Sequence, residues 1–204
     1  MNKSMDEKKQ LIVEKIGEHN GIMKTCQLYD ECGLDYRTLD TLVKNGFLER
    51  IKNGYYGLKE TKKSEEEMIV ALFPDGVLCL ESALYYYGYI KDKPFSWDIA
   101  VDKNTSKSRF LIDYPVVVPF YTEPRVLQIG VSTITLAGQE MKIYDRDRMI
   151  CDVLKYEHKL DREILKQAIR GYINDSNKDI HHLLEYAKER KVQTKVQNMI
   201  GVWL

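Results

Sequence analysis

The chain has 204 residues, 44% of them apolar and 30% charged. That is enough for one large or two small folded domains and unlike the composition of a disordered protein. Thirty-one Lys/Arg balance thirty-one Asp/Glu, and residues 1–62 hold eleven basic against ten acidic side chains. A plainly basic nucleic-acid binder is thereby excluded, so any DNA binding needs its cations concentrated on one face.

Residues 5–19 (MDEKKQLIVEKIGEH) place Leu11, Ile12 and Ile16 on one helical face, and Asn20–Gly21 ends the helix. Thr25 is the expected N-cap of a short second helix, CQLYDEC, closed by Gly33. Asp35 caps a third, YRTLDTLVKN, closed by Gly46. Two short helices around a glycine turn, behind a longer one, form a helix-turn-helix layout. The next residues, FLERI-KNG-YYGL, read as a hairpin turning at Asn53–Gly54, which would be a wing.

At about 100° per residue, Leu39, Leu42 and Val43 of the third helix face the core. Arg37, Thr41 and Lys44 then face outward, flanked by Thr38 and Asp40. Arg can pair bidentately with guanine, and Thr can meet a base edge or a methyl, so this face suits a major groove. Lys24 and Thr25 are placed for backbone phosphates, and Arg50, Lys52 and Asn53 for the adjacent backbone or minor groove. Solvated charge on a protein-contact domain is the competing reading. Of Tyr55 and Tyr56, one is expected inward and one outward.

A boundary falls at Lys59–Lys63, dividing a winged helix-turn-helix domain, 1–62, from an α+β domain, 64–204. Ser64 with Glu67 is a capping box for EEEMIVALF, which Pro74 stops. VLCLESALYYYGY reads as a helix with Leu80, Ala83, Leu84 and Tyr87 on one face and Gly88 at its end. Strands follow at WDIAV, PVVVPFY, VLQIGVSTITLA and MKIY, then helices at DRMICDVLKY, REILKQAIRGYI, DIHHLLEYAKER and a last stretch to Leu204. Strands between helices make an α+β fold with central strands flanked by helices.

No phosphate loop, GxSxG or HExxH is present, and a non-enzyme without cofactor is expected. The densest ionisable cluster is Asp145, Arg146, Asp147, Arg148 and Asp152. It reads as a helix start, with Asp145 as N-cap, Asp147 in the first turn and Arg148 paired to Asp152. A nuclease built on those carboxylates is the minority reading. His181 and His182 point about 100° apart, one expected packed and one exposed, and cannot chelate one metal together. Tyr85–Tyr87 at helical spacing reads as core and rim packing rather than base stacking. Cys26, Cys32, Cys79 and Cys151 lack CxxC spacing and histidine neighbours, so no metal site is expected. With no apolar run of about 20 residues and a charged opening, MNKSMDEKKQ, a cytoplasmic location with reduced thiols is expected.

Three stretches together resemble the AbiEi family, the antitoxins of the AbiE abortive-infection toxin–antitoxin systems of bacteria. They are TLDTLVKNGFLERIKNGYYGL, CLESALYYYGYIKDKP, and IYDRDRMICDVLKY followed by AIRGYI. Their order and spacing cover most of the chain. Residues 103–142 show only a strand-rich connection. The resemblance implies a repressor that binds inverted repeats in its own promoter DNA. It also implies a C-terminal domain that counters a nucleotidyltransferase toxin in phage defence, without a stable complex. By position it assigns DNA contacts to Lys24–Thr25, to the helix from Tyr36 to Lys44 and to the wing at Arg50–Asn53. No antitoxicity residue transfers; Glu81, Ser82, Asp145, Arg148 and Asp152 are motif positions with either a functional or a structural role. A winged-helix repressor that senses a small molecule, with no toxin partner, is the alternative.

Overall fold

The computed structural model describes residues 4–203. It is a mixed α+β chain with ten α-helices and two sheets among the described residues. No helix among them is long and apolar enough to cross a membrane. The chain divides into two compact units. The first runs through Pro74 and takes in 111–115 and 136–139, and the second holds the remainder. Residues 64–74 therefore group with the first unit, past the charged KETKK stretch that marks the sequence boundary.

The first unit opens with α1 (Met5–Glu18), which starts on a reciprocal Ser4–Glu7 capping box and buries Ile12 and Ile16. A two-residue strand β1 (Met23–Lys24) precedes α2 (Thr25–Cys32), α3 (Tyr36–Lys44) and the hairpin β2 (Leu48–Lys52) and β3 (Tyr55–Leu58). Gly33 closes α2 at φ +62° and Gly54 turns the hairpin at φ +79°, conformations that cost a side-chain-bearing residue energy. Leu28, Leu34, Leu39, Leu42 and Leu48 join Ile12 and Ile16 in one apolar core, with Leu11, Val43 and Tyr56 packed against it. β1 pairs antiparallel with β3, making a three-stranded sheet in the order β1-β3-β2. α4 (Glu65–Leu72) starts on the Ser64–Glu67 capping box.

In the second unit β4 (Val77–Leu78) leads into α5 (Leu80–Tyr86). VLC is thus strand and cap, not the first turn of a helix. β5 (Trp97–Asp102), β6 (Val117–Thr122), β7 (Val131–Leu136) and β8 (Gln139–Tyr144) complete a sheet in the order β6-β5-β4-β8-β7. α6 (Pro124–Leu127) interrupts the expected strand at VLQ, because Pro124 supplies the fixed φ of a first helical turn. β5 is antiparallel to β4 and parallel to β6. Its four central residues are buried, as befits a strand covered on both faces. The Trp97 N–H donates to Val116 O, and Lys103 N–H to Thr122 O. That register turns Pro119, which has no N–H, to the outer edge of the sheet, a placement that discourages further strands.

Helices α7 (Arg146–Lys155), α8 (Arg162–Asn174), α9 (Ile180–Arg190) and α10 (Gln193–Met199) follow. α7 packs against α5, α8, α9 and α10. Every residue from Asp147 to Leu154 is buried, so α7 is the central helix of this unit and not an amphipathic surface helix.

Candidate nucleic-acid interface

α3 is set by its cap and its apolar stripe. The Asp35 carboxylate accepts the Thr38 N–H at 2.7 Å, which holds that carboxyl below its ordinary pKa. Leu39 and Leu42 are buried while Val43 is half-buried, so the opposite side of the helix points away from the core. That side carries Arg37, Thr41 and Lys44, all exposed, at i, i+4 and i+7. Tyr36, at the first turn, is 73% exposed. Thr38 is half-buried beside the cap.

The charges on this face are not equivalent. Arg37 has no ion-pair partner among the described residues. Lys44 pairs with Asp40 one turn back at 2.7 Å, and that hydrogen bond raises its pKa. The Thr41 hydroxyl donates to Arg37 O at 2.8 Å, so its oxygen remains free to accept.

The hairpin side is built differently from the alternation in the sequence. The Thr25 N–H donates to Gly54 O at 2.9 Å, tying the start of α2 to the turn. Thr25 is therefore the first helical residue, and Lys24 occupies the N-cap position, its N–H donating to Gln27 Oε1 at 2.8 Å. Lys24 is exposed, with Nζ 5.9 Å from the Tyr55 ring centre. Arg50 and Asn53 are exposed and hydrogen-bonded to each other.

Lys52 departs from the expected wing contact. It is buried, with Nζ 4.3 Å from the Tyr55 ring centre and 5.1 Å from that of Phe73. The cause is a register shift between Arg50 and Lys52, which breaks the inside–outside alternation of β2. Tyr55 and Tyr56 are both half-buried, so neither is the outward tyrosine.

Between α3, the start of α2 and the hairpin lies a cleft of about 360 Å³. Thr25, Tyr36, Arg50 and Asn53 all line it, while Arg37, Thr41 and Lys44 lie outside. Tyr29 and Tyr56 also line the cleft, and sequence patterning did not single out either as a contact. Their signal is indirect: each is an aromatic residue on the edge of an apolar stripe.

In the ionisable cluster of the second unit Asp147, Arg148 and Asp152 are buried, while Asp145 and Arg146 are half-buried, Arg146 pairing with Asp175 at 2.7 Å. Asp145 accepts the Arg148 N–H at 2.8 Å as the α7 cap. Asp147 is buried, accepting from the Tyr172 hydroxyl at 2.7 Å and the Asp179 N–H at 2.9 Å. Burial raises the pKa of both carboxyls. Arg148 is fully buried. Its Nε donates to Asp152 Oδ1 at 3.2 Å and its Nη1 to Val126 O and Ile129 O at 2.7 and 2.6 Å. The guanidinium lies 4.0 Å from the Tyr144 ring centre, and Nη2 has no hydrogen-bond partner among the described residues.

Arg190 of α9 donates to the same Asp152 oxygen. Burial works against the Arg190 charge, yet Asp152 beside it raises its pKa. One carboxylate thus joins two arginines from two helices, and through Arg148 the carbonyls around the end of α6. This is the chemistry of a fold clamp.

Glu81 and Ser82 meet a second buried carboxylate. The Glu81 N–H donates to Asp98 Oδ2 at 3.1 Å, and the Asp98 N–H donates to Ser82 Oγ at 2.8 Å. Burial pushes Asp98 up to about 7. His181 and His182 are both exposed, in place of the expected packed-and-exposed pair. His182 stacks on Tyr186 with ring centres 5.6 Å apart. No group of three or more His, Cys, Asp or Glu among the described residues is arranged to hold a metal ion.

The chain belongs to the mixed α+β class, with no matching family model and no matching curated relative. Among solved structures it is similar to the RV2827C protein from Mycobacterium tuberculosis, at a TM-score of 0.68 and 11% identity. That likeness covers 99% of this chain and 79% of the other, and it establishes a shared fold alone.

Proposed function

We propose that the chain is an autoregulating antitoxin. In this reading the first unit is a winged helix-turn-helix that binds inverted repeats in the promoter of its own operon. The second unit counters a nucleotidyltransferase toxin encoded alongside, without a stable complex, in a cytoplasmic phage defence. The observation that carries the DNA-binding half is the outward stripe of α3, where Arg37, Thr41 and Lys44 stand clear of the core. The cleft beside it collects Thr25, Arg50 and Asn53.

A nine-residue helix is about 13 Å long, a length that a major groove accepts. Near-neutral composition is compatible with this because Arg37 makes no ion pair among the described residues. Phosphate contacts from Lys24 and Arg50 would position the helix, and Arg37 would read a base. Antitoxin activity is supported by the AbiEi resemblance of the three sequence stretches.

The test is a reporter driven by the chain's own upstream region. The full chain should repress it, and an Arg37→Ala, Lys44→Ala double variant of unchanged stability should not. In the same cells, expression of the full chain should rescue growth from the neighbouring gene's product. Equal repression by the double variant would refute the assignment of α3, and absence of rescue would refute the antitoxin half.

A further inference from the structure

α8 presents a second surface with its own chemistry. The helix buries Ala168 and Tyr172, and Gly171 lies against Tyr89, where a Cβ would come within 2.7 Å of the ring. That close approach seats α8 deeply and leaves Lys166, Gln167, Arg170 and Asn174 along its outer side. A cleft of about 690 Å³ flanks them on one side and one of about 390 Å³ on the other. Gln167, Arg170 and Asn174 line both, so they form a ridge between two adjacent hollows.

The larger hollow brings Ile169, Ile173 and the 67% exposed Trp203 indole to the same ridge. The smaller adds Lys91. Neither Arg170 nor Lys91 has an ion-pair partner among the described residues. Two acidic side chains are present, Glu163 and Asp92, and Glu163 is paired with Lys166 at 3.3 Å.

An unpaired guanidinium suits a phosphate, and an exposed indole in one hollow with isoleucines suits the face of a flat heterocycle. The Gln167 carboxamide suits its polar edge, as does Asn174 Oδ1, the Asn174 Nδ2 donating to Arg170 O at 2.9 Å. The volume is that of a small-ligand site. An acidic peptide would use the cations and leave the indole and the carboxamides idle. We propose that the ridge of Gln167, Arg170 and Asn174, with Trp203 and Lys91 at its flanks, binds a nucleoside phosphate, either free or as one nucleotide of a single-stranded RNA. Arg170 and Lys91 hold the phosphate, and Trp203 stacks on the base. This proposal stands independently of DNA binding by the first unit.

The experiment is calorimetric titration of the full chain with ATP and, separately, with a six-nucleotide adenosine RNA, alongside Trp fluorescence. Saturable binding of either probe is expected, with fluorescence quenching that disappears in Trp203→Phe. Binding of ATP alone identifies a free nucleotide, and stronger binding of the RNA identifies a strand. Arg170→Ala should weaken binding about tenfold or more, the usual cost of losing a charge-assisted contact. Arg170 is exposed, so its variant should keep the circular dichroism of the parent, and Lys91→Ala serves as a second variant. No saturable binding at millimolar nucleotide overturns the proposal. Equal displacement by hexaglutamate or inorganic phosphate, without Trp203 quenching, overturns it as well.

Discussion

Helices α3 and α7 both start on an aspartate, Asp35 and Asp145, whose side chain accepts the N–H three residues on. Both carry an arginine in the first turn. Arg37 of α3 is exposed and makes no ion pair among the described residues. Arg148 of α7 is fully buried, paired to Asp152 and spent on the carbonyls of Val126 and Ile129. The same local grammar starts both helices, and what surrounds each helix decides what its arginine does. At α3 the charge of the arginine is held outside. At α7 it is enclosed and holds elements together.

The largest effect expected from that difference is at Asp152. Asp152→Ala leaves Arg148 and Arg190 buried without their shared carboxylate. It should cost about 3–5 kcal/mol of stability, read by chemical denaturation. A cost under about 1 kcal/mol would mean that the arginines find water, and would undo the contrast.

A pH effect comes next. Asp98 ionises at about 7 in the folded chain, raised by burial from an ordinary 3.8. The folded state therefore holds this proton more tightly than the unfolded state does. Stability from this group is greatest below about pH 4 and declines as pH rises through about 7, by up to a few kcal/mol. Asp98→Asn should flatten that decline in melts recorded from pH 4 to 8. An unchanged profile would remove Asp98 as its source.

Lys52 sharpens the comparison, because it is a buried charge in the first unit. Lys52→Ala should lower stability by about 1 kcal/mol through lost packing on Tyr55 and Phe73. Its effect on DNA affinity should be smaller than that of Lys24→Ala, which removes an exposed cation. The reverse order, read by fluorescence anisotropy, would return Lys52 to the interface.

Much of this was legible from residue types at fixed offsets. Ser64 with Glu67, Asp35, Gly33 and Gly54 each act as their local chemistry dictates. The outward stripe of α3 follows from helical periodicity alone. The illegible parts have physical causes. β1 and β4 are two residues long and carry no alternation to detect. Lys52 is hidden by a one-residue register shift. Arg190 reaches Asp152 across 38 positions of sequence, which no local pattern encodes. The ridge on α8 looks like an ordinary solvated face until the indole of Trp203 is placed beside it.

The most direct test of the contrast is the affinity of the full chain and of Arg37→Ala for the duplex upstream of its own gene. Both are measured at two salt concentrations, on samples with matched melting temperatures. Arg37→Ala should keep its stability within about 0.5 kcal/mol, as a surface substitution does. It should lose roughly 1–3 kcal/mol of binding and relax the preference at one base pair. Unchanged affinity and unchanged base preference in a folded Arg37→Ala chain would contradict the account, and α3 would be left without a role in DNA recognition.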